Sequence, residues 1–135
     1  MLAAWARLCY QSVFFITDST RKEIKEAMNP KVTPFLMFEG QAEEAMTLYV
    51  LLFPNSGIEH IVRYGPEGPG REGSVMVAKF TVAGQPFLCI DSPAPHAFSF
   101  TPSISVHVAC ATEAEVDAAF ATLSEGGQVL MPLDR

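Results

Sequence analysis

The chain has 135 residues, 49% of them hydrophobic and 18% charged, with a formal net charge of −6. That length suffices for one domain holding its core without disulfides or metal, and the composition is too apolar for a disordered chain. Its nine Lys and Arg residues, most of them scattered singly, argue against a nucleic-acid face and against binding to an anionic membrane surface.

Cys9, Cys89 and Cys110 are odd in number and form no CxxC pair. They read as small apolar residues in a reducing compartment, so the cytoplasm is expected. No run approaches the roughly 18 consecutive apolar residues of a membrane span. The first residues, MLAAWARLCYQSVFFIT, have no basic leader or clean cleavage site and are not read as a signal peptide. Residues 1–30 are expected to form an N-terminal extension ending at Asn29-Pro30, with the native start at Met28 and the compact domain at 31–135.

Val32–Phe38 is a nearly unbroken apolar run and reads as a strand. It passes through Glu39 and Gly40 into a helix at about 41–53. Ala42, Ala45, Met46, Tyr49 and Leu52 mark the buried face of that helix, and Glu43 and Glu44 favour its positive end. PNSG at 54–57 stops the helix, and IEHIVRYG follows as a second strand. SVMVAKFTV, the turn AGQP and FLCID read as a hairpin.

After SPAPHAFSFTP the order repeats: a strand SISVHVAC (103–110), a helix at 113–125, then a strand in QVLMPL. Thr112 with Glu115 three residues later forms a capping box. Val116, Ala119, Phe120 and Leu123 supply the apolar stripe, and Gly126-Gly127 end the helix. Along 103–108 the alternation places Ser103, Ser105 and His107 on one face and Ile104, Val106 and Val108 on the other, the latter expected to pack on the helix. The polar face is either solvated or a pocket wall. Two strand–helix–strand units are therefore expected: module one at about 31–92 and module two at about 101–135, the second cut short of its last hairpin.

GPGREG at 68–73 matches GxGxxG literally, but a strand follows it where a dinucleotide site needs a helix. It reads as a flexible connection between strands. His60, His96 and His107 show no metal-ligand spacing. His96 stands apart because it lies in the Pro-rich connection between the modules, where loops often line sites. Cys89 and Asp91 share a strand face with Phe87; the thiol has no local cationic neighbour to activate it, and Asp91 ends its strand. No nucleophile elbow or carboxylate pair is present.

VTPFLMFEGQAEEAMTLYVLLFPNSGIEHIVRYGPEGPGREGSVM, with GQPFLCIDSP and FTPSISVHVAC, resembles the PhnB-like proteins of the glyoxalase/bleomycin-resistance (vicinal oxygen chelate) superfamily. Many of these carry the label 3-demethylubiquinone-9 3-methyltransferase. The resemblance covers about residues 31–133. It implies an α+β fold of paired βαβββ modules around a cup-shaped small-molecule site, usually in a homodimer. It also implies that the second module is truncated here, since family members continue past LMPLD.

Metal-dependent members of the superfamily hold their ion on the first and last strands of each module. Those positions map to Thr33 or Pro34, to a residue near Ser103 and to one near Cys89, and none offers a hard-cation ligand. No metal and no cofactor are therefore expected. Methyltransferases that use S-adenosylmethionine usually have a doubly wound sheet, for which nothing in this pattern speaks. The leading expectation is a small-molecule-binding protein without metal, forming a homodimer, with no nucleic-acid or membrane partner. The candidate pocket residues are Phe35, Met37, Cys89, Asp91, His96, Phe98, Phe100, Ser103 and Ser105. The aromatics would give apolar contact, while Asp91, His96 and the serines would fix orientation. The alternatives are an enzyme (a metal-dependent lyase or dioxygenase, or the labelled methyltransferase) and an inactive fragment.

Overall fold

The computed structural model describes residues 32–133. The expectations for the N-terminal extension and for a start at Met28 lie outside these residues. The chain divides into two compact units at Phe35/Leu36, and everything from Leu36 onward belongs to the second.

The described residues hold six elements: β1 (Phe35–Phe38), α1 (Ala42–Leu52), β2 (Gly57–Arg63), β3 (Val75–Val82), β4 (Gln85–Asp91) and α2 (Glu113–Ser124). The strands form one four-stranded sheet in the order β1-β4-β3-β2. This is the expected α+β first module. β1 is shorter than the apolar run suggests, because Pro34 has no N–H to give a ladder and the strand begins just after it.

α1 lies on the sheet through Ala42 and Met46, both fully buried, with Ala45, Tyr49 and Val50 packed around them. Opposite stand Phe38 of β1, Val75, Ala78 and Phe80 of β3, and Phe87 and Cys89 of β4. The rings of Phe80 and Phe87, opposite one another in the β3–β4 register, stack with centroids 5.4 Å apart. β3 turns into β4 through Ala83-Gly84, both at positive φ, the two-residue geometry that matches strand twist.

The corner between β1 and α1 is held from a distance. Gly40 takes φ +91, open to glycine at little cost, and so swings the chain from strand to helix. Gln41 makes no side-chain cap. Instead Asp91, at the end of β4 and 3% exposed, brings its carboxylate to the corner. Its Oδ1 accepts from Gly40 N at 2.8 Å and from Ala42 N at 3.0 Å, while Oδ2 accepts from Val75 N at 2.9 Å. One buried carboxylate thus satisfies three backbone donors and meets the positive end of α1.

The 65–74 loop closes over Tyr64, which is buried and donates its hydroxyl to the Asp91 carbonyl at 3.2 Å. Tyr64 N bonds Ser74 O and Gly73 N bonds Tyr64 O, so the loop mouth is laced shut. A Cβ at Gly70 would lie 2.5 Å from the Tyr64 ring, so the glycine is required by close approach.

The second module departs from expectation. Residues 103–110 and 128–133 form no strand, and 101–109 are exposed throughout. Ile104, Val106 and Val108 are 82%, 64% and 41% exposed, so the alternating apolar face does not pack on α2. A strand needs a neighbouring ladder, and none is offered to this segment among the described residues. α2 does form where expected but buries no residue. Its cap differs in one detail: Thr112 accepts from Glu115 N at 3.2 Å, whereas the Glu115 carboxylate reaches back to Ala111 N, one residue short of a reciprocal box.

Asp91→Ala leaves three buried donors without an acceptor and is expected to cost about 3–5 kcal/mol of unfolding free energy in urea titrations followed by circular dichroism. Asp91→Asn keeps one acceptor oxygen and is expected to cost roughly half as much. Equal stability of all three proteins would show that the carboxylate does not hold the corner.

Candidate functional site

Beside the same corner lies an open cleft of about 270 Å³. Met37, Phe38, Glu39 and Gln41 form one wall; His96, Phe98, Ser99 and Phe100 from the inter-module connection form the other. The walls are tied together by His96 N, which donates to Glu39 Oε1 at 2.9 Å, and by the Phe38 and Phe100 rings, tilted at 58° with centroids 5.1 Å apart. Phe98 and Phe100 remain 60% and 57% exposed, so two rings stand open to a visitor.

His96 is the most constrained polar group here. Its ring stacks on Phe98 at 3.9 Å and 5°, and its Nδ1 lies 2.7 Å from the Phe98 carbonyl. A carbonyl can only accept, so the proton on that side is Nδ1–H. In the neutral imidazole the lone pair then falls on Nε2, which is buried and has no partner.

Of the residues expected to line a pocket, Met37, His96, Phe98 and Phe100 are brought together. Asp91 and Cys89 lie in the core, Asp91 with its carboxylate turned to the β1–α1 corner. Phe35 is 52% exposed, and Ser103 and Ser105 are exposed in the strandless segment, Ser103 bonding Thr101 at 2.6 Å. None of these five lines the cleft. Sequence reasoning missed Phe38, Glu39, Gln41 and Ser99. A usable signal existed: Glu39 and Gln41 flank the glycine of a strand-to-helix corner, where side chains converge on the strand's end.

Burial, with the Asp91 charge as a smaller contribution, pushes the Cys89 thiol up to about 12 and raises Tyr64 as well. Cys89 is thus a packing thiol. Among the described residues no group of three His, Cys, Asp or Glu could hold a metal ion, and no helix is long and apolar enough to cross a membrane.

A four-stranded sheet with one helix packed on it and a cleft at the β1–α1 corner defines an α+β scaffold. The family model described as 3-demethylubiquinone-9 3-methyltransferase matches residues 30–133. Among solved structures, a PhnB protein from Bacillus cereus, provisionally described as a 3-demethylubiquinone-9 3-methyltransferase, is 54% identical with a TM-score of 0.74, over 76% of this chain and 79% of that one. Protein PA1353 from Pseudomonas aeruginosa is 27% identical with a TM-score of 0.66, over 77% of this chain and 79% of that one. A protein from Staphylococcus aureus is 37% identical over 76% of this chain and 74% of that one, with a TM-score of 0.41. No curated protein matches. The chain belongs to the PhnB-like family.

A thiol whose pKa is higher folded than unfolded supports folding fully below the unfolded value of about 9.0, and that support is withdrawn as pH rises toward about 12. Stability is therefore expected to fall across that window, less steeply in Cys89→Ala. Peptide mapping after iodoacetamide treatment of the native protein should find Cys110 modified and Cys89 untouched; rapid labelling of Cys89 would contradict its placement in the core.

Proposed function

We propose that this PhnB-like protein binds a small organic molecule in the cleft between the β1–α1 corner and the 96–100 connection, without a metal ion. The observation that carries the reading is His96: its Nε2 is enclosed yet has no partner, beside two exposed phenylalanine rings and the free edges of Glu39 and Gln41. An enclosed polar atom without a partner is costly, and a ligand that draws the ring toward the cleft and donates to it removes the cost. The volume of about 270 Å³ lies just below the range of drug-sized pockets, which favours a fragment-sized ligand or one moiety of a larger molecule.

Metal-free binding is supported by the chemistry of the residues present. The positions that carry ligands in metal-dependent members of the glyoxalase superfamily map here to Thr33 or Pro34, to a residue near Ser103 and to one near Cys89. Cys89 is buried in the core, where burial disfavours its thiolate, and it does not line the cleft. These residues do not fit a hard divalent cation. Methyl transfer, the activity in the family model's description, is not proposed: the Gly-rich loop joins β2 to β3 and is filled by Tyr64.

We further propose a cytoplasmic homodimer, in which a second copy covers the apolar run Ile104, Val106 and Val108. Its exposure in the single chain supports this.

A fragment library screened by two-dimensional NMR is expected to give hits whose shifts cluster at Gly40, Gln41, His96 and Ser99. Hits confined to other surfaces would refute the cleft. Elemental analysis of the purified protein should find divalent metal well below one equivalent, and sedimentation equilibrium should find twice the chain mass. A stoichiometric ion, or a monomer at tens of micromolar, would overturn the corresponding statement.

A further inference from the structure

The polar groups of the cleft are unevenly matched, and the imbalance names a ligand class. Its eight lining residues include no Lys and no Arg, but they include the carboxylate of Glu39. That carboxylate spends Oε1 on His96 N at 2.9 Å, and Oε2 has no bond to any described residue. His96 in turn spends Nδ1–H on the Phe98 carbonyl at 2.7 Å and leaves Nε2 as an enclosed acceptor. Two acceptors, one of them charged, thus wait for donors. Around them stand the rings of Phe38, Phe98 and Phe100, whose faces carry negative quadrupole potential and attract cations. The wider field has the same sign, with 15 acidic residues against nine basic ones.

Resting on the cleft as the ligand site, we infer that the ligand presents a protonated amine on an apolar or aromatic body. An ammonium N–H donates to Glu39 Oε2, a second N–H is accepted by His96 Nε2 once the ring tips toward the cleft and uncovers it, and the apolar body lies against Phe98 and Phe100. A carboxylate or phosphate ligand would meet like charge at Glu39 and no cation in the wall, and a neutral alcohol would satisfy one acceptor at most. A quaternary ammonium would keep the ring contacts but leave Nε2 unserved, so a primary or secondary amine is the better match.

The test uses four probes that share a benzyl group: benzylamine, benzyltrimethylammonium, benzyl alcohol and phenylacetate, titrated into the whole chain by NMR at low salt. Benzylamine is expected to bind roughly tenfold tighter than benzyl alcohol, with phenylacetate weakest and shifts centred on Gln41, His96 and Ser99. Raising salt to about 0.5 M should erase most of the preference. Glu39→Gln should bring benzylamine within about twofold of benzyl alcohol. His96→Phe should narrow the gap between benzylamine and the quaternary cation, while thermal melts confirm that both variants fold. Benzyl alcohol or phenylacetate binding in the cleft as tightly as benzylamine would overturn the cationic class and leave the cleft reading intact. No cleft shift with any probe at about 10 mM, a concentration reaching very weak affinities, would overturn both.

Discussion

Everything on the helix side of this protein hangs on the carboxylate of Asp91. A buried charge is normally a liability, since removing it from water costs several kcal/mol unless donors replace the hydration. Here three backbone N–H groups do so, two from the β1–α1 corner and one from the start of β3. The Tyr64 hydroxyl adds a bond to the backbone carbonyl of the same residue. The strand order β1-β4-β3-β2 places the end of β4 between the two segments it must serve, so topology and electrostatics agree. The helix therefore begins correctly although its own cap residue contributes no side-chain bond.

The cleft inherits its geometry from that anchor. Gly40 and Ala42 are fixed by Asp91, and Glu39 and Gln41 are their immediate neighbours in the chain. The corner presents those two side chains to the 96–100 connection, which is docked through His96 N and the Phe38–Phe100 ring contact.

How much of this was legible in the sequence depends on where each partner sits along the chain. α1, β3 and β4 could be read because periodicity and turn residues are local: Ala42, Ala45 and Met46 at helical spacing, and Ala83-Gly84 between two apolar runs. Thr112 was legible as a cap for the same reason. Asp91 looked like a strand end because its partners are backbone N–H groups 16 to 51 residues away, and backbone donors leave no trace in a sequence. Ile104, Val106 and Val108 alternate as a strand would and were expected to form one, yet the segment forms none: a pattern states only what a segment could bury, and no ladder partner stands beside it among the described residues. In the cleft, His96 was singled out for its place in the inter-module connection and Phe98 and Phe100 were named beside it, whereas Glu39 and Gln41 were passed over as mere connectors.

The long reach of the Asp91 contacts also sets the order in which the molecule assembles. Joining residue 91 to residues 40 and 42 closes loops of 51 and 49 residues, an entropic debt that local helix formation cannot offset alone. The β3–β4 hairpin, with its two-residue turn, shortens the search by carrying Asp91 to the neighbourhood of Val75 first. By this loop-closure argument the corner is expected to lock after the hairpin has presented its carboxylate. The corner consequently opens only with the cooperative unit, and the amide protons of Gly40 and Ala42, both bonded to Asp91, should exchange as slowly as those of the sheet.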